Sequence, residues 1–328
     1  MIPLSILDLA PVSQGSTIAA SFAASRSLAQ QAEELGFHRY WLAEHHNMPG
    51  IASAATSLLI SHLAAATSRI RLGAGGIMLP NHSPLVIAEQ FGTLATLYPD
   101  RIDLGLGRAP GSDQLTARAL RRHQMDNETQ FPADIAQLQR YFADVQPGQP
   151  VQAVPGQGLH VPLWILGSSL YGAQLAAQLG LPYAFASHFA PGMMQQAAEL
   201  YRREFKPSAQ LDKPYLMLAL NVFAADTTAE ATRLFSSLQQ QFVNLARGTP
   251  GLLPAPVDNM DAIWQPHEKA YVQSALACSV VGDAQTVKQG MADFISRYQP
   301  DELMLTSMMY NPAARLRSMQ LAAELIQR

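Results

Sequence analysis

The chain has one cysteine, Cys278, so no disulfide can form within it. A reducing compartment suits such a sequence, and a cytoplasmic location is the expectation. Charge is also scarce: 14% of residues are charged, and the formal net charge is -3. The basic residues are scattered, so no face is built to neutralise a run of phosphates, and no nucleic-acid partner is expected. No apolar run reaches the roughly 18 residues of a membrane span. The start, Met1-Ile2-Pro3-Leu4-Ser5, carries no basic residue, and Asp8 interrupts the first apolar run. Neither a signal peptide nor a membrane partner is expected.

Apolar residues are abundant. They make up 48% of the 328 positions, enough for the core of one large domain spanning residues 1–328. Eight short apolar runs recur, at 4–9, 39–43, 70–77, 102–106, 163–166, 183–186, 215–223 and 302–306. They are apolar at consecutive positions, as parallel strands buried on both faces are. Helical patterns lie between them. Ile18, Phe22, Leu28, Ala32 and Leu35 fall on one helical face. Gly36 and Gly180 each follow a helical segment, where a left-handed cap is needed. Eight such units predict an α/β fold, a (β/α)8 TIM barrel, over the open doubly wound alternative. Two stretches break the rhythm. Residues 109–160, after strand four, hold an extra helix around 127–143 and the turn Pro147-Gly148-Gln149-Pro150. Residues 246–281, after strand seven, hold a Gly/Pro-rich run that cannot continue a helix. Both are expected as insertions at the barrel mouth, the second as a lid or a partly disordered loop.

Barrels of this kind place their chemistry at the C-terminal strand ends. Asp8, Glu44-His45-His46, Gly75-Gly76, Gly107-Arg108, Gly167-Ser168-Ser169 and Ser187-His188 fall there. Gly167-Ser168-Ser169 joins a strand to a helix. Free N–H groups and the helix dipole favour an anion at that point, and a serine there is equally a common helix cap. Arg108 offers a rigid fork of donors to phosphate oxygens, or a plain surface salt bridge. Gly75-Gly76 inside an apolar strand marks either close approach of a flat ligand or a bulge that closes the barrel. His45 is the acid–base candidate, because histidine is the residue type whose ordinary titration lies near neutrality and this one sits at a strand end. Glu44 suits holding a histidine, pairing with a buried cation, or a structural place. No metal is expected: His45 and His46 diverge along a continuing strand, and strand one has no His-x-His pair. Residues 105–111 imitate a dinucleotide glycine loop, but the third glycine is one residue late, Pro110 breaks the helix start, and the loop follows the fourth strand. Met308-Met309 reads as packing.

Four stretches carry a resemblance: Tyr40 to His46; Gly73 to Pro80 with His82-Ser83-Pro84 and Ala88-Glu89-Gln90; Asp100 to Arg108; and Leu166 to Ser169 with Ala176 to Pro182. In order and spacing, over nearly the whole barrel, the chain resembles the bacterial luciferase-like flavin-dependent monooxygenase family. The resemblance implies a (β/α)8 barrel that binds reduced FMN delivered by a separate flavin reductase. Molecular oxygen then oxidises a small, apolar organic substrate. It implies that His45 is catalytic and that a cis peptide at Gly75-Gly76 contacts the flavin ring. It implies that Arg108 and Ser169, with Gly167 and Ser168 beside it, hold the phosphate. A homodimer through the helices after strands two and three is implied as well. The small residues of 53–66 suit close helix packing there, and suit packing on the barrel equally. Two positions depart from the luciferases. Ser168 stands where they have an acidic residue, and Gly107 where they have a cysteine, so a more open ring pocket is expected and light emission is not implied. The opening strand looks closer to the non-luminescent relatives. Phe189, Met193, Trp264 and Met308 are candidates for an apolar substrate pocket. A deazaflavin-dependent hydride-transfer enzyme, a non-catalytic flavin-binding protein and a metal hydrolase barrel are the rival readings.

Overall fold

The computed structural model describes residues 2–109, 114–120 and 130–324. Nine strands form one parallel sheet among them: β1 (Leu4–Asp8), β2 (Arg39–Leu42), β3 (Arg71–Met78), β4 (Ile102–Gly107), β5 (Leu163–Gly167), β6 (Tyr183–Phe185), β7 (Leu216–Ala224), β8 (Ser279–Gly282) and β9 (Glu302–Thr306). β1 to β7 are neighbours in order, and β9 closes the ring between β7 and β1. Eight strands therefore make the closed barrel, and they are the eight apolar runs. β8 stands outside it, paired among the described residues only with Asn221–Ala224 at the end of β7. It escapes a sequence reading because Ser279-Val280-Val281-Gly282 is short and mostly half-buried. β1, β2, β7 and β9 are buried at every position, which explains why apolar residues stand at consecutive positions within them.

Helices cover the outside: α1 (Ile18–Glu34), α2 (Thr56–Ala64), α3 (Pro84–Leu97), α4 (Gln114–Leu120), α5 (Phe131–Phe142), α6 (Leu170–Leu179), α7 (Met194–Glu204), α8 (Thr228–Ala246), α9 (Pro266–Ala275), α10 (Ala284–Tyr298) and α11 (Pro312–Glu324). α1 starts at Thr17, whose hydroxyl accepts the Ala20 N–H. Its inward face is Ser21, Ser25, Leu28, Ala29 and Ala32, while Ile18 is 56% exposed. Small side chains let the helix lie close, so the inner face is not the large-residue stripe that the sequence suggests. Gly36 and Gly180 take the left-handed conformation expected after their helices, with φ +79 and +64. Among the described residues no helix is long and apolar enough to cross a membrane.

After β4, α5 packs on α3 through Phe131, Ile135, Leu138 and Phe142. The extra helix expected at 127–143 thus covers 131–142, and residues 127–129 lie outside the described ones. Within the second expected insertion, 246–281, lie a turn at Met260–Ala262, α9 and most of β8. Leu253 there is buried and bridges to Ser13. The segment thus carries secondary structure of its own.

The N-terminal end of the barrel is closed by ions. Arg39 donates to Asp103 Oδ2 at 2.7 Å and to Glu302 at 3.1 Å. Arg71 donates to Asp103 Oδ1 at 2.6 Å. Tyr215 donates its hydroxyl to Glu302 Oε2 at 2.8 Å, and Ser5 donates to Glu302 as well. Burial opposes the Arg39 charge, but Asp103 and Glu302 outweigh it and raise its pKa further. Above this floor Trp41 and Trp164 meet edge to face, with centroids 5.0 Å apart.

Candidate active site

At the C-terminal end the barrel opens into a cavity of about 430 Å3. That size is ordinary for a small-molecule or cofactor site, about 300–1,000 Å3. Its floor is Leu7, Trp41, Met217 and Met304 from the strands. Its walls come from the loops after β2, β4, β5 and β6, from α8 and from α9. Sulfur is prominent: Met48, Met78 and Met308 line it in addition to the two floor methionines. His45, Gly75, Gly76, Arg108, Gly167, Ser168 and Ser169 all line this same cavity.

Each of these has a local cause. The Gly75-Gly76 peptide is cis. The β3–β4 register shifts between Ala74 and Ile77, so the irregularity read as a bulge is there too. A Cβ on Gly75 would meet Leu7 Cδ1 at 2.8 Å, and one on Gly76 would meet the Gly105 carbonyl at 2.7 Å. Only glycine fits between those neighbours, and it leaves bare backbone facing the cavity. Ser169 takes the N-cap position of α6, with φ -143 and ψ 165, but its side chain makes no cap hydrogen bond. The plain capping reading therefore fails for Ser169. Arg108 lies over the Tyr171 ring of α6, 4.2 Å from its centroid. That contact brings the guanidinium to the same helix start.

Glu44 is the hub beside His45. Its Oε1 accepts from His46 Nε2 at 2.7 Å and from His82 Nε2 at 2.8 Å, and its Oε2 accepts the Met78 N–H at 3.0 Å. Burial opposes its charge, but these hydrogen bonds outweigh it and hold the carboxyl at about 2. Of the roles open to Glu44, holding a histidine is the one observed, and it holds two. The three side chains bring ligand-capable atoms within 4.8 Å of one another, at hydrogen-bond spacing. The Glu44 N–H also donates to the Gly76 carbonyl at 3.3 Å. One residue thus ties the β2 loop to the end of β3.

Several site-forming residues are not where a reading of strand ends puts them. Asp8 faces outward. It pairs with Arg315 of α11 at 2.8 Å and accepts from the Tyr40 hydroxyl at 2.5 Å. Its neighbours Leu7 and Leu9 face the cavity instead, as the period of two in a strand requires. Phe189 and Met308 line the cavity, whereas Trp264 and Met193 do not. Trp264 donates to Asp261, and Met193 lies exposed in a turn before α7. His188, at the β6 end, lines the cavity with Nδ1 unpartnered among the described residues. Burial and the nearby His45 push its pKa down to about 3, so it is a neutral imidazole. Asn221 of β7 fixes that loop by donating to the His188 carbonyl at 2.6 Å. Asn221, Gln241 and Tyr171 also line the cavity. Gln241 lies within a helix, where no strand-end motif points to it.

A closed parallel barrel with a mostly apolar chamber at its C-terminal strand ends is a (β/α)8 barrel of the enzyme type. More narrowly, the sequence model described as "Luciferase-like monooxygenase" matches residues 2–298, and the chain belongs to that family. A "Luciferase-like monooxygenase" of Escherichia coli strain K12 is 57% identical, over 98% of this chain and 96% of the relative. The "N-acetyl-S-alkylcysteine monooxygenase" of Bacillus subtilis strain 168 is 31% identical, over 99% of this chain and 98% of the relative. The solved structure of apo-MsnO8 superimposes with a TM-score of 0.88 at 34% identity, covering 100% of this chain and 99% of that one. At 16% and 13% identity, two further structures share the fold. They are the oxygenating constituent of 3,6-diketocamphane monooxygenase in complex with FMN and an F420-dependent secondary alcohol dehydrogenase, with TM-scores of 0.75 and 0.71.

Proposed function

We propose that the protein is a cytoplasmic FMN-dependent monooxygenase, one luciferase-like domain that uses reduced flavin from a separate reductase and O2 to oxidise a small apolar substrate. One observation carries this reading. Bare glycine backbone, a helix start not capped by its serine, an arginine and a histidine converge on a single apolar chamber. Membership of the monooxygenase family supports it, as does the FMN complex of a distant relative of the same fold.

The residues present suit FMN. Arg108, Gly167, Ser168, Ser169 and the first N–H groups of α6 would hold the phosphate, since cation, hydroxyls and helix dipole all favour an anion. Gly75 and Gly76 would take the flat ring against their backbone, where a side chain has no room. Reduced flavin supplies the electrons that activate oxygen. His45, half-buried at the chamber wall, serves as the proton donor and acceptor beside the ring. The 246–281 substructure contributes Tyr271 of α9 to the chamber lining and, acting as a lid, would keep water from a reactive oxygen species. The exposed apolar side chains Leu58 of α2 and Val86 and Leu97 of α3, with Leu58 71% exposed, would meet a second copy of the chain in a homodimer.

The test is product mass spectrometry with labelled O2, reduced FMN and a panel of aldehydes, alkanes and thioethers. One labelled oxygen atom in a product is the expected result. Turnover with the reduced deazaflavin F420 and no label would replace this reading with hydride transfer. FMN binding without any product would replace it with a flavin-binding protein.

A further inference from the structure

A glycine at position 107 suggests an open wall in the chamber, but a side chain from the next strand fills it. Met78 at the end of β3 is paired in register with Gly107 at the end of β4. A Cβ on Gly107 would meet Met78 Sδ at 2.7 Å and Met78 Cε at 3.5 Å. The thioether therefore lies on bare backbone, in the space that a side chain at 107 would take. Both residues line the chamber. Gly107 is buried and Met78 is half-buried, so Met78 keeps surface that a ligand can touch. Its backbone is held as well, because its N–H donates to Glu44 Oε2 at 3.0 Å. Nearby glycines have harder neighbours. A Cβ on Gly76 or on Gly105 would strike a backbone carbonyl, which cannot yield. At Gly107 the obstacle is the end of an unbranched side chain, which can turn.

The position matters. Met78 stands two residues beyond Gly76, and its partner Gly107 immediately precedes Arg108. It thus lies between the glycines suited to the flat ring and the arginine suited to the phosphate. A thioether is polarisable and packs favourably at the edge of an aromatic ring.

We propose that Met78 is a flavin-binding residue and that Gly107 is its seat, the bare backbone at 107 letting the thioether lie back against the wall and leave room for the cofactor. The proposal rests on the flavin reading of the same chamber. It predicts that the two positions act as one unit.

A double-mutant cycle tests it, with reduced FMN titrated anaerobically by calorimetry and stability followed by denaturant unfolding of the unliganded proteins. Met78→Ala should raise the FMN dissociation constant about three- to tenfold, through loss of the sulfur contact. Gly107→Ala should raise it about tenfold or more, because the new methyl turns the thioether into the chamber. Its unfolding midpoint should stay close to that of the wild type, since a flexible side chain absorbs the clash. The double variant should bind FMN no worse than Met78→Ala, because the methyl then has room. An unchanged constant in either single variant, or a double variant as weak as the product of the two, overturns the proposal. Met78→Ala removes no backbone group, and it carries the test by itself if alanine at 107 does not fold. A wild-type protein that binds reduced FMN, with variants that bind it equally well, loses this inference and keeps the flavin reading. A wild-type protein that binds no reduced FMN loses the flavin reading, and this inference with it.

Discussion

The two ends of the barrel handle polar atoms in opposite ways. At the N-terminal end Arg39, Asp103 and Glu302 are buried, Arg71 and Tyr215 are partly buried, and all five are bonded into one network. At the C-terminal end His188 Nδ1 and Gln241 Oε1 are buried and unpartnered among the described residues. The same strands run through both ends, so the difference lies in what each end is for. A saturated network has no valence left for a ligand, and its removal is felt as lost stability. Unpaired atoms beside the chamber destabilise the protein slightly, because each has given up water for no partner.

The comparison predicts which substitutions act on folding and which on chemistry. Glu302→Ala should have the largest effect, because it strands Arg39, Ser5 and Tyr215 in the floor. A loss of about 3–5 kcal/mol is expected by denaturant unfolding, and an unchanged midpoint would break the contrast between the ends. His45→Ala should lower turnover about 10²–10⁴-fold while stability and FMN affinity hold; a parallel loss of stability would place His45 with the structural residues. Glu44 sharpens the boundary. Its folded pKa of about 2 lies below the ordinary 4.5, so its contribution is present above pH about 4.5 and lost as pH falls toward 2. The shift corresponds to about 3 kcal/mol, and Glu44→Gln should flatten the stability profile over that acid window. Arg108→Ala should act on FMN alone, with a dissociation constant raised about 10- to 100-fold as charge-assisted hydrogen bonds are lost. An unchanged constant would remove Arg108 from the phosphate site.

Much of this was legible in the chain itself. Strands buried on both faces announce themselves as mostly apolar runs, and all eight barrel strands did so, although Ser5, Asp8, Asp103 and Glu302 stand inside them. Arg108, Gly75-Gly76 and Gly167-Ser168-Ser169 were legible because each is a local motif at a strand end, and the family resemblance joined them into one site. What stayed hidden depends on direction or on distance along the chain. Asp8 and Leu7 are adjacent, yet the strand turns one outward to Arg315 and the other into the chamber. Glu44 meets His82 across 38 positions, and nothing in either neighbourhood announces the pairing. The α1 face is small rather than bulky, so hydrophobicity alone misplaced Ile18. Gln241 sits in the middle of a helix, where only the closing of α8 over the mouth makes it part of the site.

The methionines around the chamber have a chemical consequence. Met48, Met78, Met217, Met304 and Met308 would surround the place where oxygen is activated. Thioethers are soft nucleophiles and are readily converted to sulfoxides. Cys278 is spared, since it lies outside the chamber and burial pushes its thiol up to about 11. An oxidising equivalent that misses its substrate therefore has a ring of sulfur to strike first. On the proposed chemistry, peptides bearing those methionines would gain one oxygen in mass during turnover without substrate. They would stay unmodified when substrate is saturating, so the lining keeps a record of misfired cycles.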